Sequence, residues 1–206
     1  MSERKLVSVL TPTWQRRDLL LEAVENAREQ AYRPLEHVIV SDGPDPELRD
    51  LIERERGADV PIRFIELGRN FTEGGPPNSF GIGALMAGML LARGAYQVWL
   101  CDDERMAPDH ISSLVAVLEE GNAGFAYSKT RMWWVGSRPE DGWDIGTCPP
   151  QYGQITNYLY RSELLRVAMP AWGAHPVDWT LVASWMRAGE RCAFLPRVTL
   201  THRADR

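Results

Sequence analysis

The side chains best able to do chemistry in this sequence mostly follow directly on apolar runs. Asp102, Asp103 and Glu104 stand together after Tyr96–Leu100. Three neighbouring acids repel one another unless a cation or strong donors compensate. Carboxylates of this kind suit Mg²⁺ or Mn²⁺, ions that also bind phosphate oxygens; the alternative is a solvated acidic turn. Asp42, in Ser41-Asp42-Gly43-Pro44, can accept hydrogen bonds from a base NH or a ribose hydroxyl, or can bond its own backbone in a turn. Trp14, in Thr11-Pro12-Thr13-Trp14, offers an aromatic face to a nucleobase or packs against the end of a sheet. Asp178 opens a late amphipathic segment, where a carboxylate either caps a helix or faces a crevice as a general base. His202, in Thr201-His202-Arg203, is a metal ligand, a phosphate contact or an exposed terminal histidine.

The elements that must position these groups read as an α/β alternation. Leu6–Leu10 is a short apolar run closed by Thr11-Pro12-Thr13, a strand and its turn. Asp18–Ala31 has helical spacing with Asp18 as a candidate cap. His37–Val40 is a second strand, Pro46–Arg56 a helix and Ile62–Leu67 a third strand. Gly68–Pro77 is a loop, Ser79–Arg93 a helix ended by Gly94, and Tyr96–Leu100 a strand as apolar as a central strand should be. Pro108–Glu120 is a helix and Phe125–Met132 a strand. Arg131–Tyr152, rich in Trp, Gly and Pro, is a long loop or a set of short hairpins. Ser162–Val167 is a short helix, Asp178–Ala188 an amphipathic helix and Ala193–Leu200 a closing strand. The opening order of strand, helix, strand, helix, strand implies right-handed crossovers and a parallel sheet. In such a sheet, ligands bind beyond the carboxyl ends of the strands. Three such ends carry Thr13 and Trp14, Asp42, and Asp102 and Asp103; they converge on one crevice if their strands are neighbours.

Bulk properties narrow the choice. With 206 residues, 44% hydrophobic and 25% charged, the chain suits a single domain with a sizeable core. A net charge of -5 argues against a nucleic-acid partner held through its phosphates. Three widely spaced cysteines argue against a disulfide framework and lack the paired spacing of a zinc site. The N-terminus lacks the apolar run of a signal peptide, and the longest apolar stretch, Phe80–Ala92, is too short to cross a bilayer and reads as a buried helix. A cytoplasmic protein with no transmembrane segment is expected.

Taken in order, four segments resemble the family 2 glycosyltransferases of the GT-A fold. Val7–Arg16 is similar to the family's opening strand and turn, with Trp14 and Gln15 where Tyr and Asn are usual. Val38–Gly43 resembles a segment that often has two aspartates; Ser41 replaces the first and Asp42 keeps the second. Val98–Glu104, followed by Pro108, looks like the metal-binding aspartate motif, and Val177–Leu181 like the segment carrying the catalytic base. The four pieces span roughly residues 5–205.

The resemblance implies a central, mostly parallel Rossmann-like sheet flanked by helices, in one domain over residues 1–206. A nucleotide-binding half would cover about 1–105 and a more irregular acceptor half about 106–206. It implies that Pro12, Thr13, Trp14 and Asp42 hold the nucleoside, that Asp102 lies near the ribose or metal, and that Asp103 ligates Mn²⁺ or Mg²⁺. It further implies that His202 is an additional metal or phosphate contact and that Asp178 deprotonates the acceptor. An arginine usual before the helix preceding the metal strand is missing from Pro76-Pro77-Asn78-Ser79, and Arg69 is its candidate substitute.

The activity so implied is metal-dependent, inverting transfer of a sugar from a nucleotide-diphospho-sugar to an acceptor hydroxyl. A UDP-sugar is favoured because Asp42 can accept the uracil NH; thymidine offers the same group, and guanosine stays open. The acceptor is a glycan, a lipid-linked sugar, a small molecule or a protein. Among Trp133, Trp134, Trp143 and Trp172, some form a sugar-stacking platform or all fill an irregular subdomain. The rival readings are sugar-nucleotide nucleotidyl transfer, which usually needs a glycine-rich loop absent from Thr11–Trp14, and a non-catalytic nucleotide-sugar-binding protein.

Overall fold

The computed structural model describes residues 4–55, 59–71, 73, 81–168 and 177–204. In chain order it contains β1 (Val7–Thr13), α1 (Arg17–Arg28), β2 (Leu35–Ser41), α2 (Pro46–Glu55), β3 (Ile62–Glu66), α3 (Ile82–Leu91), β4 (Tyr96–Trp99) and β5 (Glu104–Met106). Then follow α4 (His110–Glu120), β6 (Phe125–Trp134), β7 (Trp143–Ile145), β8 (Leu159–Arg161), α5 (Val177–Arg187) and β9 (Cys192–Ala204). Short 3-10 turns at Pro139–Asp141 and Ser162–Arg166 complete it.

The strands form one sheet in the order β3-β2-β1-β4-β8-β6-β9-β5, with β7 paired to β6. The β3, β2, β1 and β4 ladders are parallel, as is β6 with β9. The strands that run the other way, β5, β7 and β8, are each three residues long. The sheet is therefore mostly parallel, and its helices cover both faces. Val7, Val9, Val98, Ala126 and Leu200 pack with Ala23, Ala27, Ile111, Leu114 and Leu118 of α1 and α4. On the other face Leu10, Val40, Trp99, Phe125 and Tyr158 pack with α3 and with Leu181, Val182 and Trp185 of α5. Burial on both faces is why β1, β2 and β4 read as unbroken apolar runs rather than alternating ones.

Several elements differ from the sequence expectation. β1 continues through Thr11-Pro12-Thr13 instead of turning there. Its ladder to β4 ends at Leu10–Trp99, whereas its ladder to β2 runs on to Thr13–Ser41. The Leu10 carbonyl bonds towards β4 and the Thr13 carbonyl towards β2. By alternation the Pro12 nitrogen faces the side that β4 has left, where no ladder donor is required. Asp18 lies inside the first turn of α1, where its charge favours the positive end of the helix without capping it.

Helix α3 ends at Leu91, three residues before Gly94. Its inner side is buried, but Leu90 and Leu91 are exposed, and the expected start at Ser79 lies outside the described residues. The Trp-rich stretch contains a hairpin strand, β7, and Ser162–Arg166 is a 3-10 turn rather than an α-helix. β9 runs to Ala204, so His202 is a strand residue and not a terminal one. All three cysteines are free. Among the described residues no helix is long and apolar enough to cross a membrane.

Candidate active site

β1 and β4 separate beyond Leu10 at the point where the strand order reverses: β2 and β3 lie on one side of β1 and β4 on the other. A crevice opens there, as expected at the carboxyl edge of a doubly wound sheet. It is a cleft of about 690 Å³. Pro12, Thr13, Trp14, Asp42, Asp102, Asp103 and His202 all line it, so every nucleotide and metal residue expected from sequence meets at one place. Asp178 is not among the lining residues.

The three acids after β4 have three different settings. Glu104 is buried and accepts hydrogen bonds from the Cys101 amide (3.0 Å) and from Asn157 Nδ2 (3.2 Å). Asn157 also donates to the Trp99 carbonyl at 2.5 Å. Glu104 thus locks the turn rather than lining the cleft. Burial raises its carboxyl above the usual range, and nearby His202 draws it back. The Asp103 carbonyl accepts the Arg203 amide at 3.1 Å, which clips the turn to β9.

Asp102 is buried, accepting from Thr13 Oγ1 at 3.3 Å and from Arg16 Nη1 at 2.7 Å. Burial pushes its carboxyl up to about 6, against the pull of Arg16 and with a push from Asp103. Asp103 is partly exposed, with its Oδ2 3.5 Å from Arg16 Nη1. Its Oδ1 is buried and takes no hydrogen bond; it lies 3.9 Å from His202 Nδ1, which is itself 3.5 Å from Glu104 Oε1.

A buried acceptor oxygen without a donor, on a side chain that lines the cleft, fits a cation ligand. Asp103, with His202 beside it, is the pair that could hold a divalent ion. Among the described residues no group of three or more His, Cys, Asp or Glu side chains is arranged to hold a metal. An ion here would take its remaining ligands from water and substrate phosphate, the habit of Mg²⁺ in phosphate sites.

Asp42 is buried at the end of β2, and its amide bonds to the Thr13 carbonyl at 2.9 Å. Its Oδ1 accepts the Phe71 amide at 3.1 Å, tying down the segment after β3. Gly43 adopts φ +138, and Trp14 lies over it: a Cβ at Gly43 would sit 2.5 Å from Trp14 Cζ3 and 3.0 Å from the Asn70 nitrogen. Trp14 therefore both packs on the strand end and walls the cleft. Arg69 is exposed, with its guanidinium 4.8 Å from the Phe71 ring centroid, and it does not line the cleft.

Asp178 stands in the first turn of α5, half-buried. Its Oδ1 accepts the Trp179 amide at 2.8 Å, the N-terminal role expected of an acid there. Its carbonyl receives the Tyr158 hydroxyl at 3.4 Å. Its charge helps to raise the Cys101 thiol, whose main cause is burial, so it acts electrostatically on the turn that carries Asp102 and Asp103. Of the tryptophans, Trp134 and Trp143 form an exposed pair, Trp133 is partly buried, and Trp172 lies outside the described residues. Pro76–Ser79 lies outside them too.

Arg16, Asn157 and Gly43 were not singled out from sequence as site residues. A glycine after the strand aspartate was a usable signal for Gly43. Arg16 and Asn157 carry none, because only the folded chain brings them to residues more than fifty positions away.

The profile of glycosyl transferase family 2 matches residues 8–133. A galactofuranosyltransferase of Mycolicibacterium smegmatis is 30% identical over 109 residues, 53% of this chain and 33% of that protein. The UDP-Glc:α-D-GlcNAc-diphosphoundecaprenol β-1,3-glucosyltransferase of Escherichia coli is 25% identical over 124 residues, 60% of this chain and 45% of that protein. The matched part of this chain thus spans about a third to just under half the length of these curated relatives.

Among solved structures, a mannosyltransferase from Pyrobaculum calidifontis in complex with GDP-Man and Mn²⁺ superposes with a TM-score of 0.75 at 19% identity, covering 98% of this chain and 57% of that one. A fragment of S. aureus TarS in complex with UDP gives 0.73 at 16% identity, covering 96% and 60%. With a family match over most of its length, and with the strand ends and cleft just described, this chain belongs to glycosyl transferase family 2 and has the GT-A fold.

Proposed function

We propose that this domain transfers a sugar from a nucleotide-diphospho-sugar, a UDP-sugar by preference, to an acceptor hydroxyl with inversion. The observation that carries the proposal is the convergence of Thr13, Trp14, Asp42, Asp102, Asp103 and His202 on one cleft at the strand-order reversal. Two relatives give it chemical direction: the E. coli protein is named for UDP-Glc and a diphosphoundecaprenol-linked acceptor, and the TarS fragment was solved with UDP.

In this reading Asp42 accepts the ring NH of the base and Trp14 covers the base face. Thr13 and Asp102 set the ribose, and Asp103 with His202 holds Mn²⁺ or Mg²⁺. A bound divalent ion supplies neutralisation of the charge that develops on the leaving diphosphate. Asp178 takes the proton of the acceptor hydroxyl at its carboxylate as the hydroxyl oxygen bonds to the anomeric carbon. Attack on the face opposite the diphosphate inverts that centre. Residues 1–105 contribute most of the donor site and residues 106–206 the acceptor site, with His202 reaching back from the second half.

The test is a thermal-shift series with UDP, GDP, dTDP and CDP, each with Mn²⁺, Mg²⁺ or EDTA, because a ligand that binds only the folded state raises the melting temperature. A rise with UDP that vanishes in EDTA is expected. No response to any of the four nucleotides would overturn the proposal.

A further inference from the structure

The hairpin of β6 and β7 presents two indoles to solvent. Trp134 and Trp143 are each 39% exposed, with ring centroids 5.0 Å apart at 47°. Large paired aromatics left open on a folded surface mark binding sites more often than chance. The backbone holds this pair firmly. Met132 pairs with Trp143 and Arg131 with Asp144, whose side chains also form an ion pair. A Cβ at Gly142 would run into the Met132 carbonyl oxygen, so β7 can approach β6 this closely only with glycine there.

The register connects the indoles to the cleft. Glu104 pairs with His202, His202 with Met132, and Met132 with Trp143. Directly paired residues share a face, and so do Met132 and Trp134, two positions apart on one strand. His202 and both indoles therefore lie on one face of the sheet. Two strand steps of about 4.8 Å each place Trp143 about 10 Å from His202, within reach of a short oligosaccharide whose end lies in the cleft.

The surroundings select the kind of occupant. Between 131 and 144 the hairpin carries Arg131 and Arg138 against Glu140, Asp141 and Asp144. That rim is mixed and slightly acidic, which disfavours an anionic lipid surface. It suits a ligand with an apolar ring face and hydroxyl edges: the indoles take the face, and the charged side chains take the hydroxyls.

We propose that Trp134 and Trp143 form a stacking shelf for a sugar ring of the acceptor, so that the acceptor is itself a glycan rather than a bare hydroxyl compound. This rests on the reading of the cleft as a glycosyl-transfer site. Exposed Tyr152 meets Trp179 edge-on at 6.1 Å, next to Asp178.

The test is saturation-transfer NMR on the whole chain with cellobiose, lactose, N,N′-diacetylchitobiose and α-mannobiose at millimolar concentration, run beside the UDP–Mn²⁺ thermal shift. At least one disaccharide should receive saturation on its ring protons. Trp134→Ala and Trp143→Ala should each weaken that binding roughly three- to tenfold. Trp143→Phe should restore most of it, and the UDP shift should not change in any variant. Three results would each overturn the shelf: no saturation of any disaccharide, equal saturation in the alanine variants, or loss in those variants of binding to phosphatidylglycerol vesicles without any saccharide signal. Saccharide binding that persists in a chain with no response to any nucleotide would leave the shelf standing and remove the transferase reading instead.

Discussion

Three adjacent acids in a row look equivalent in the sequence, yet folding gives each a separate task. Glu104 holds a turn through Cys101 and Asn157, Asp102 pairs with Arg16 and accepts the Thr13 hydroxyl, and of the three Asp103 alone keeps a buried oxygen without a donor. That two of the acids would line a crevice was legible from their place at a strand end. Their division of labour was not, since it depends on Asn157 and Arg16, which approach only through the fold. Asp178 is the residue where sequence leaves capping and catalysis side by side; it lies inside the first turn of α5, where its Oδ1 accepts the adjacent Trp179 amide and its charge favours the positive helix end without capping it. Asp178→Asn keeps the acceptor oxygen for that amide and removes only the basicity. The expected result is a loss of transfer turnover of about 10²–10⁴-fold with the UDP thermal shift retained. Turnover within about twofold of the parent, measured on the same donor, would take the role of base away from Asp178.

At the scale of elements, the first half of the chain was readable because its strands are largely apolar runs bounded by turn residues, α1 and α2 are amphipathic and α3 is a continuous apolar stretch. The second half was less so. β5, β7 and β8 have three residues each, too few to display alternation, and β8 sits in the centre of the sheet as an antiparallel insert with no local signal. The extension of β1 past Pro12 was hidden for a different reason: proline marks a turn by default, and only the departure of β4 makes it tolerable in a strand. The connection after β2 is the most constrained of the site-bearing turns. Gly43→Ala would strain a φ of +138 and drive a methyl against Trp14 and the Asn70 nitrogen. A cost of about 1–3 kcal/mol is expected, read as a fall in Tm of several degrees by calorimetry, together with weaker UDP binding by titration calorimetry as Trp14 shifts. An unchanged Tm and unchanged affinity would show that the loop relaxes freely and that Trp14 is not held by it.

The whole molecule should be sensitive to acid through two buried histidines that do not line the cleft. Burial lowers His37 to about 3 and His110 to about 4. Thr11 and Thr199 satisfy one ring nitrogen of each, and the other, His37 Nδ1 or His110 Nε2, is buried with no partner for an added proton. The unfolded chain takes up protons near 6.5 and the folded chain does not, so stability is present above that pH and is lost as pH falls below it. Each histidine contributes about 1.4 kcal/mol per pH unit in that window, or roughly 2 kcal/mol by pH 5. Asp102, raised to about 6, acts in the opposite sense and offsets part of the loss. Urea melts from pH 7 to 5 should therefore slope less steeply in His37→Gln and His110→Gln than in the parent, and parallel slopes would refute the assignment. Arg16 gives the ligand-free domain a different character. With its guanidinium bound to Asp102 and close to Asp103, the acidic turn carries its own tethered counterion, which eases the repulsion between the two carboxylates. A divalent ion bound as proposed would have to displace Arg16 from the two aspartates. Under the proposed metal-dependent reading, the ion's affinity would then reflect a difference between two cations, and the displaced side chain that lowers this affinity would also hasten the ion's departure.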